Sequence, residues 1–420
     1  ERRRDEGDAT GTVPRVSLPM SVRSSAFTFL SFAMPVSMFG VIWPDVRERF
    51  DQSLGTLGLV SLVYGIARMS TSGAGRTVTR RLGIGRAFIA GLVGLVVADL
   101  LVASANSWAM FLVGVAAVGI VSGLLDSVGA GVIASLGDIG SAGVVHGSYG
   151  LGATIGPLVV VVVPDWRWSL VGTAVVAASA VLIAVAARDS FPTPVESPAD
   201  VPSDGNRPNG ERGRPPLVPT TVSLRACFAF IAVEVTVGNW LFTYLTEARD
   251  VGATLARFAV SGFWGGTMAG RLVLVSERAR AAAERLGLPA AATIAAGFVA
   301  VTAIAPGAGV VVASTAIGLG LAPIVPTLSA RTSQRVGLEH AQQVSGWQLL
   351  AANVGGIGVP YLTGAVIDAT TAAAALFVAL AVFAFGIPLL IGARRLAVTP
   401  TVTPPADLTA PRTATGCRRP

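Results

Sequence analysis

Long apolar segments separated by short polar ones recur along almost the whole chain. A membrane-spanning α-helix needs about 20 predominantly apolar residues. Segments of that kind predict twelve spans, near residues 24–43, 53–72, 87–105, 108–134, 142–163, 168–187, 222–246, 253–275, 288–305, 308–330, 342–366 and 371–392. The pattern therefore predicts an all-α integral membrane protein with twelve transmembrane helices.

The twelve predicted spans fall into two groups of six. Residues 188–219 between the groups contain eight of the 25 prolines and no apolar run, which is typical of a flexible linker. We therefore expect six-helix bundles at 24–187 and 220–392, joined by a cytoplasmic linker. Residues 1–23 form a cytoplasmic N-terminal segment in this scheme, and 393–420 a disordered cytoplasmic tail rich in Thr and Pro.

Composition excludes the commonest alternatives. The chain has 420 residues, of which 52% are hydrophobic and 13% charged, whereas a soluble domain carries about 25% charged residues. A disordered chain would need low hydrophobicity. The net charge of +7 does not indicate nucleic-acid binding, because the basic residues lie in loops and tails rather than on one folded face. Two cysteines, Cys227 and Cys417, are too few for a disulfide framework or a metal cluster.

The basic residues, all of them arginine, predict the orientation. With the N-terminus inside, 26 of the 31 arginines lie in inner segments, and the outer loops hold Arg47, Arg49, Arg167, Arg249 and Arg257. Basic residues are retained on the cytoplasmic side. We therefore expect a multi-pass protein of the plasma membrane with both termini in the cytoplasm.

The two predicted bundles also resemble each other in sequence. Matching positions in corresponding helices and loops are Ser61, Tyr64 and Gly65 with Ser261, Trp264 and Gly265; Ala74, Gly75 and Arg76 with Ala269, Gly270 and Arg271; and Gly152, Gly156 and Pro157 with Gly355, Gly358 and Pro360. Small residues of this kind let helices approach closely. Together the matches indicate duplication of a six-helix unit, an architecture in which substrate binds between two halves that rock about it.

At these positions the chain resembles the major facilitator superfamily over nearly its whole length. The loop after the second span is similar to the hallmark loop of that superfamily, with Thr79 and Arg80 where an aspartate is usual. Within the superfamily, the chain resembles the fucose permease group of proton-linked sugar symporters and its relatives described as sodium-dependent glucose transporters. The segments that carry this resemblance are Gly123–Ser127, His146–Ala153 with Gly156 and Pro157, Glu234–Leu245 and Ser261–Arg271.

That resemblance implies the major facilitator fold, sugar transport, and Asp126 as the coupling carboxylate. Small residues at 129–131 stand where the group usually has an asparagine. An ionisable group at mid-depth in a membrane usually lines a pathway or pairs with a neighbour. Asp126 in the fourth span and Glu234 in the seventh are therefore the proton-coupling candidates. The alternatives are a helix-packing hydrogen bond for Asp126, and an interface or solute contact for Glu234. Asp99, near the outer end of the third span, is assigned no role.

Polar and aromatic side chains inside apolar spans are candidates for solute binding. Amides can donate and accept hydrogen bonds to sugar hydroxyls, and aromatic faces can cover apolar C–H surface. The candidates are Asn239, Trp240, Trp347, Gln348, Asn353, Tyr64, Trp264 and His146. The alternative for each tryptophan is packing, and for His146 a helix-end hydrogen bond.

Arg76 and Arg271 are gating candidates at the inner ends of the second and eighth spans. Arginines there can bind helix C-terminal carbonyls of the opposite half and hold a gate shut. The alternative is the arginine bias of inner loops itself. His146 and His340 are too far apart in sequence to suggest a zinc set, and neither a metal nor a cofactor is predicted.

These features predict a secondary active transporter that moves a small polar solute, a sugar or polyol, by alternating access with proton symport. Its partners are the solute, a coupling ion (proton or sodium) and the lipid bilayer, and we expect a functional monomer. Proton-coupled export of drugs or metabolites is the alternative, and a solute sensor without transport a further one. A membrane-embedded enzyme would need a clustered nucleophile and base, which the sequence lacks.

Overall fold

The computed structural model describes residues 19–136, 139–191, 214–273 and 276–396. Most of the predicted N-terminal segment, linker and tail lie outside these residues. Within them the chain is helical, without a β-strand. The first half contains α1 (Met20–Arg49), a 3₁₀ turn (Leu54–Thr56), α2 (Leu57–Thr71), α3 (Gly75–Leu82), α4 (Ile84–Ala103), α5 (Trp108–Leu136), α6 (Ile139–Val162) and α7 (Trp166–Ala187).

The second half repeats this order with more interruptions. It contains α8 (Leu217–Thr243) with a π-helical turn (Tyr244–Ala248), α9 (Ala253–Val273), α10 (Glu277–Leu286), α11 (Leu288–Val301), α12 (Gly309–Leu321), α13 (Ile324–Ala330), α14 (Thr332–Val336), α15 (Leu338–Ala369) and α16 (Ala374–Arg395). Pro323 lies at the break between α12 and α13. The predicted span 308–330 is therefore two consecutive helices, because a proline inside a helix removes a backbone hydrogen bond.

Ten helices of the described residues are long and apolar enough to cross a membrane. The remaining two predicted spans correspond to α9, which carries Arg257 and Arg271, and to α11, which has only 14 residues. The loops after the second and eighth spans are themselves helical, as α3 and α10. The prediction of an all-α membrane protein with this order of spans is confirmed.

Helix packing repeats between the halves. In the first half, α1 packs on α6 and α7, α2 on α5, and α4 on α5 and α7. The counterparts six spans later make the same pairs: α8 with α15 and α16, α9 with α12, and α11 with α12 and α16. The halves meet where α6 packs on α9, α2 on α15, and α1 on α8. These pairings confirm the pseudo-symmetric architecture.

Two glycines at matching places in the halves permit close contacts between helices. A Cβ atom on Gly152 of α6 would overlap the carbonyl oxygen of Leu30 on α1, and one on Gly355 of α15 would overlap that of Phe228 on α8. Close backbone approach of this kind requires a residue without a side chain. Gly358 differs, because a Cβ there would meet no atom within 4 Å.

An even number of spans places the start of α1 and the end of α16 at one face, which we call the terminal face; the opposite one is the distal face. At the distal face, Arg167 donates to the carbonyls of Ala103 and Ala105 beyond α4. Arg249 donates to those of Thr302 and Ala305 beyond α11. Both arginines thus bind carbonyl oxygens at the C-terminal end of the equivalent helix in their own half.

Candidate functional site

Among the described residues, each half of the molecule holds an arginine–carboxylate pair that joins two of its spanning helices. Nη2 of Arg68 on α2 lies 2.8 Å from Oδ2 of Asp126 on α5. Nη2 of Arg271 on α9 lies 2.8 Å from both oxygens of Glu234 on α8. The Glu234 side chain is only 10% exposed, whereas the other three are 32–39% exposed. Both proton-coupling candidates are therefore paired acids, and removing either arginine would leave a carboxylate without compensation.

Two side chains of α6 lie between the pairs. His146 is within electrostatic reach of Asp126 and Arg271, and Tyr149 of Arg68, Asp126 and Glu234. Aromatic residues of α1 support both rings. Phe29 packs edge-on against His146, with 5.8 Å between the ring centroids, and the ring centroids of Phe32 and Tyr149 are 5.5 Å apart. The charged groups of the two halves therefore converge on one stretch of α6.

A cavity of about 70 Å³ opens between α6 and α9, where the halves meet. Its polar lining includes His146, Tyr149, Trp264 and Arg271. The indole of Trp264 is positioned by α8, because a Cβ on Gly238 would overlap its ring. Nε1 of Trp264 and Nε of Arg271 are buried and have no hydrogen-bond partner. Both N–H groups therefore lack an acceptor, on residues that line the cavity.

Of two other predicted solute contacts, Tyr64 lies close to the Arg68–Asp126 pair and Asn239 joins the halves. Tyr64 on α2 is within electrostatic reach of Arg68 and Asp126. Nδ2 of Asn239 on α8 donates to Oγ of Ser61 on α2 at 2.8 Å, a hydrogen bond between halves. The amide therefore contributes to the interface between α2 and α8.

The remaining candidates have other surroundings. Trp240 is 1% exposed, and its Nε1 donates to the carbonyl of Pro360 at 3.1 Å. Gln348 is 3% exposed and is hydrogen-bonded to Thr332 and Ser223. These two side chains connect helices of the second half, which is a packing role.

Trp347 and Asn353 also lie on α15. Trp347 is 40% exposed, and Nδ2 of Asn353 donates to the carbonyl of Leu349 in its own helix at 2.9 Å. They share a helix with Gln348 but do not line the cavity between α6 and α9.

Of the two gating candidates, Arg76 lies elsewhere than predicted, and Arg271 has a different partner. Arg76 is the second residue of α3, beyond the end of α2 at Thr71. Arg271 lies near the end of α9, as expected, but it binds Glu234 of its own half instead of carbonyls of the opposite half. Arg167 and Arg249 do bind helix-end carbonyls, but at the distal face and within their own halves.

Sequence reasoning missed Arg68 and Tyr149 as members of the site. Arg68 lies within the predicted span 53–72, but its charge is readily counted with the arginines of the following loop. An ionisable residue inside a span is itself a signal of function, and that rule would have identified Arg68. Tyr149 belongs to the segment His146–Ala153, but no property of an isolated tyrosine distinguishes it from a packing residue.

A separate set of contacts holds the halves together at the distal face. The carboxylate of Asp368, at the end of α15, accepts hydrogen bonds from Oγ of Ser53 and from the backbone N–H of Gly55, both at 2.7 Å. We call these three residues the distal latch. Arg47 of α1 also lies 3.2 Å from Glu247, which follows α8. All of these contacts cross from one half to the other.

The buried acid Asp99 lies apart from the two arginine–carboxylate pairs. Asp99 on α4 is fully buried and accepts a hydrogen bond from Thr173 on α7 at 2.8 Å, and both helices pack within the first half. No group of three or more His, Cys, Asp or Glu residues able to hold a metal occurs in the described part of the chain.

Comparison with known proteins agrees with this architecture. The family model described as Major Facilitator Superfamily matches residues 25–360. "Bypass of stop codon protein 6" of Saccharomyces cerevisiae is 25% identical in an alignment of 302 residues that covers 64% of this chain and 59% of that protein. The chain thus spans less than two thirds of the length of this relative.

Solved structures show the same fold at low sequence identity. A bacterial homolog of the human lysosomal transporter Spinster has a TM-score of 0.66 at 13% identity, over 90% of this chain and 98% of the other. The peptide transporter POT has a TM-score of 0.70 at 14% identity, over 90% of this chain and 95% of the other. The nucleoside transporter NupG has a TM-score of 0.68 at 12% identity, over 90% of this chain and 99% of the other. The chain belongs to the major facilitator superfamily and is a multi-pass membrane protein.

Proposed function

We propose that the protein is a secondary active transporter that carries a small polar solute, a sugar or polyol, together with protons by alternating access. The observation that carries this proposal is that each half has an arginine–carboxylate pair between two of its helices, and that both pairs converge on α6 at the interface. The sequence resemblance to the fucose permease group supports sugar symport with Asp126 as a coupling acid. We place the protein in the plasma membrane as a monomer with cytoplasmic termini, a cytoplasmic linker at 188–219 and a cytoplasmic tail.

The contacts between the halves support a state that is closed at the distal face. Asp368 joins Ser53 and Gly55, and Arg47 joins Glu247, all at the distal face. With the termini in the cytoplasm, this is the outer face, so the site would be closed from outside. Solute and proton drive the change to the other state only if they bind the two states differently.

Proton coupling follows from the pairing of the acids. A proton that binds Asp126 removes its negative charge and weakens its ion pair with Arg68. A proton that binds Glu234 weakens the ion pair with Arg271 in the same way. The released guanidinium can then donate to oxygen atoms of the solute, because it has five N–H donors and no acceptor. Protonation and solute binding therefore favour each other, as symport requires.

The test is uptake of labelled sugars and polyols by proteoliposomes with an imposed pH gradient, acid outside. We expect the wild type to accumulate solute. Asp126→Asn should lose accumulation but retain equilibrating exchange, because an amide cannot carry the proton. Asp99→Asn is the matched control, since Asp99 is a buried acid of the same half that lies between α4 and α7, and it should accumulate solute like the wild type.

Several outcomes would contradict the proposal. Full accumulation by Asp126→Asn would refute Asp126 as the proton carrier, and Glu234→Gln then tests the second acid. Uptake that follows a sodium gradient instead would replace the proton as coupling ion. Absence of uptake together with extrusion of a lipophilic dye would favour the exporter, for which Glu234 is an equally suitable proton carrier. Binding of solute with no movement in either direction would favour a sensor.

A further inference from the structure

We propose that the transported solute carries a carboxylate, and that Arg271 and Trp264 bind this group in the cavity between α6 and α9. The inference rests on the proposed function and narrows its solute from sugars and polyols in general to hydroxylated carboxylates such as sugar acids. The main evidence is the chemistry of the side chains that line this cavity.

Hydrogen-bond donors dominate the polar part of that wall. Arg271 and Trp264 can only donate, and His146 and Tyr149 can donate or accept. No Asp or Glu is among the residues that line the cavity. Glu234 binds Arg271 from outside this lining. Once Glu234 is protonated, a wall with a free guanidinium and without an acid suits an acceptor-rich anion better than a cation.

Two of these donors have no partner. Nε1 of Trp264 and Nε of Arg271 are buried without a hydrogen bond, and a buried donor left without an acceptor is costly. Since neither group can accept, the missing partner must supply acceptor atoms. A carboxylate supplies two acceptor oxygens and pairs with arginine in a geometry that matches both.

The balance of protons and charges at the site favours a solute carboxylate over a neutral solute hydroxyl. A proton taken up by Glu234 gives a neutral acid, which leaves Arg271 as an unpaired cation in a partly buried place. A solute carboxylate would then occupy the position that Glu234 gave up, and the net charge of the site would return to its starting value. One proton and one carboxylate cross together, so transport of the acid is electroneutral, whereas a neutral sugar moving with a proton would transfer one positive charge.

The experiment compares uptake of matched acids and neutral solutes by wild-type proteoliposomes, gluconate with sorbitol and galacturonate with galactose. A pH gradient drives uptake, and a potassium diffusion potential is added in a second arm. We expect the acids to accumulate at least tenfold more than their neutral partners, without an effect of the potential. Neutral uptake that equals or exceeds acid uptake would overturn this inference while the proposed function stands. Acid uptake stimulated by an inside-negative potential would show that net positive charge enters with the acid. That result would overturn the proposed replacement of Glu234 by the solute carboxylate at Arg271. No uptake of any of the four would overturn both proposals.

A single variant tests the indole N–H. Trp264→Phe keeps an aromatic ring and removes the donor, so we expect the KM for the acid to rise roughly tenfold, the effect of one hydrogen bond to a charged group. The maximal rate should change little. Trp168→Phe is the matched control, since Trp168 is an exposed tryptophan of α7 at the distal face. An unchanged KM in Trp264→Phe would remove Trp264 from the carboxylate site.

Discussion

Nη2 of Arg68 lies 2.8 Å from Oδ2 of Asp126, and both residues belong to the same half of the molecule. The pair of Arg271 and Glu234 is likewise contained in one half. Rocking of the halves therefore need not break either pair, and each can respond to protonation or to solute instead. The contacts that rocking must break are those between the halves, such as Asp368 with Gly55 and Asn239 with Ser61.

The Arg68–Asp126 pair should show reciprocal mutational effects. Arg68→Ala leaves the carboxylate uncompensated and should lower the free energy of unfolding by about 1–2 kcal/mol, a value reduced from that of a fully buried pair because both side chains are about a third exposed. The double variant Arg68→Ala/Asp126→Ala should recover part of this loss. Thermal unfolding in detergent measures both.

Arg188→Ala provides the control for that series. Arg188 pairs with Asp189, but their side chains are 61% and 89% exposed, so its loss should leave the unfolding temperature unchanged. Strictly additive losses from the Arg68 and Asp126 single variants would show that the two side chains do not stabilise each other.

The distal latch should control the balance between the two open states. Asp368→Ala removes the acceptor for Ser53 and Gly55, so the distal-closed state loses two hydrogen bonds to a charged group. We expect the population of the distal-open state to rise roughly tenfold. Spin-label distances across the distal face measure this shift. Glu48→Gln, a charge change on an exposed residue of the same face, is the control, and equal distances in Asp368→Ala and wild type would disprove the latch.

Gly152 and Gly358 should respond differently to the same small change. Gly152→Ala places a methyl group against the carbonyl oxygen of Leu30, and the backbone of α1 can move only at a cost of about 1–3 kcal/mol. Gly358→Ala meets no atom within 4 Å and should be neutral. The yield of monodisperse protein and its unfolding temperature measure the difference. Tolerance of Gly152→Ala would mean that α1 and α6 are not in close contact in the folded protein.

Prediction from sequence was most successful for the helices and least for their ends and contacts. The positions of the spans follow hydropathy, but the division at Pro323 and the helices α3 and α10 within predicted loops do not. Among the site residues, Asp126, Glu234, His146, Trp264 and Arg271 were identified from their chemistry. The packing of Trp240 on Pro360 was not, because a buried tryptophan and a solute-binding one look alike in sequence.

The order of the spanning helices and the repeat between the halves can be read from the chain alone. Each apolar segment must satisfy its own backbone hydrogen bonds in the hydrocarbon of the membrane, whatever its neighbours are. Partners of the charged side chains cannot be read in this way. Arg68 and Asp126 are 58 positions apart, and Arg271 and Glu234 are 37. Their meeting depends on the rotation and tilt of whole helices, which packing against neighbouring helices decides.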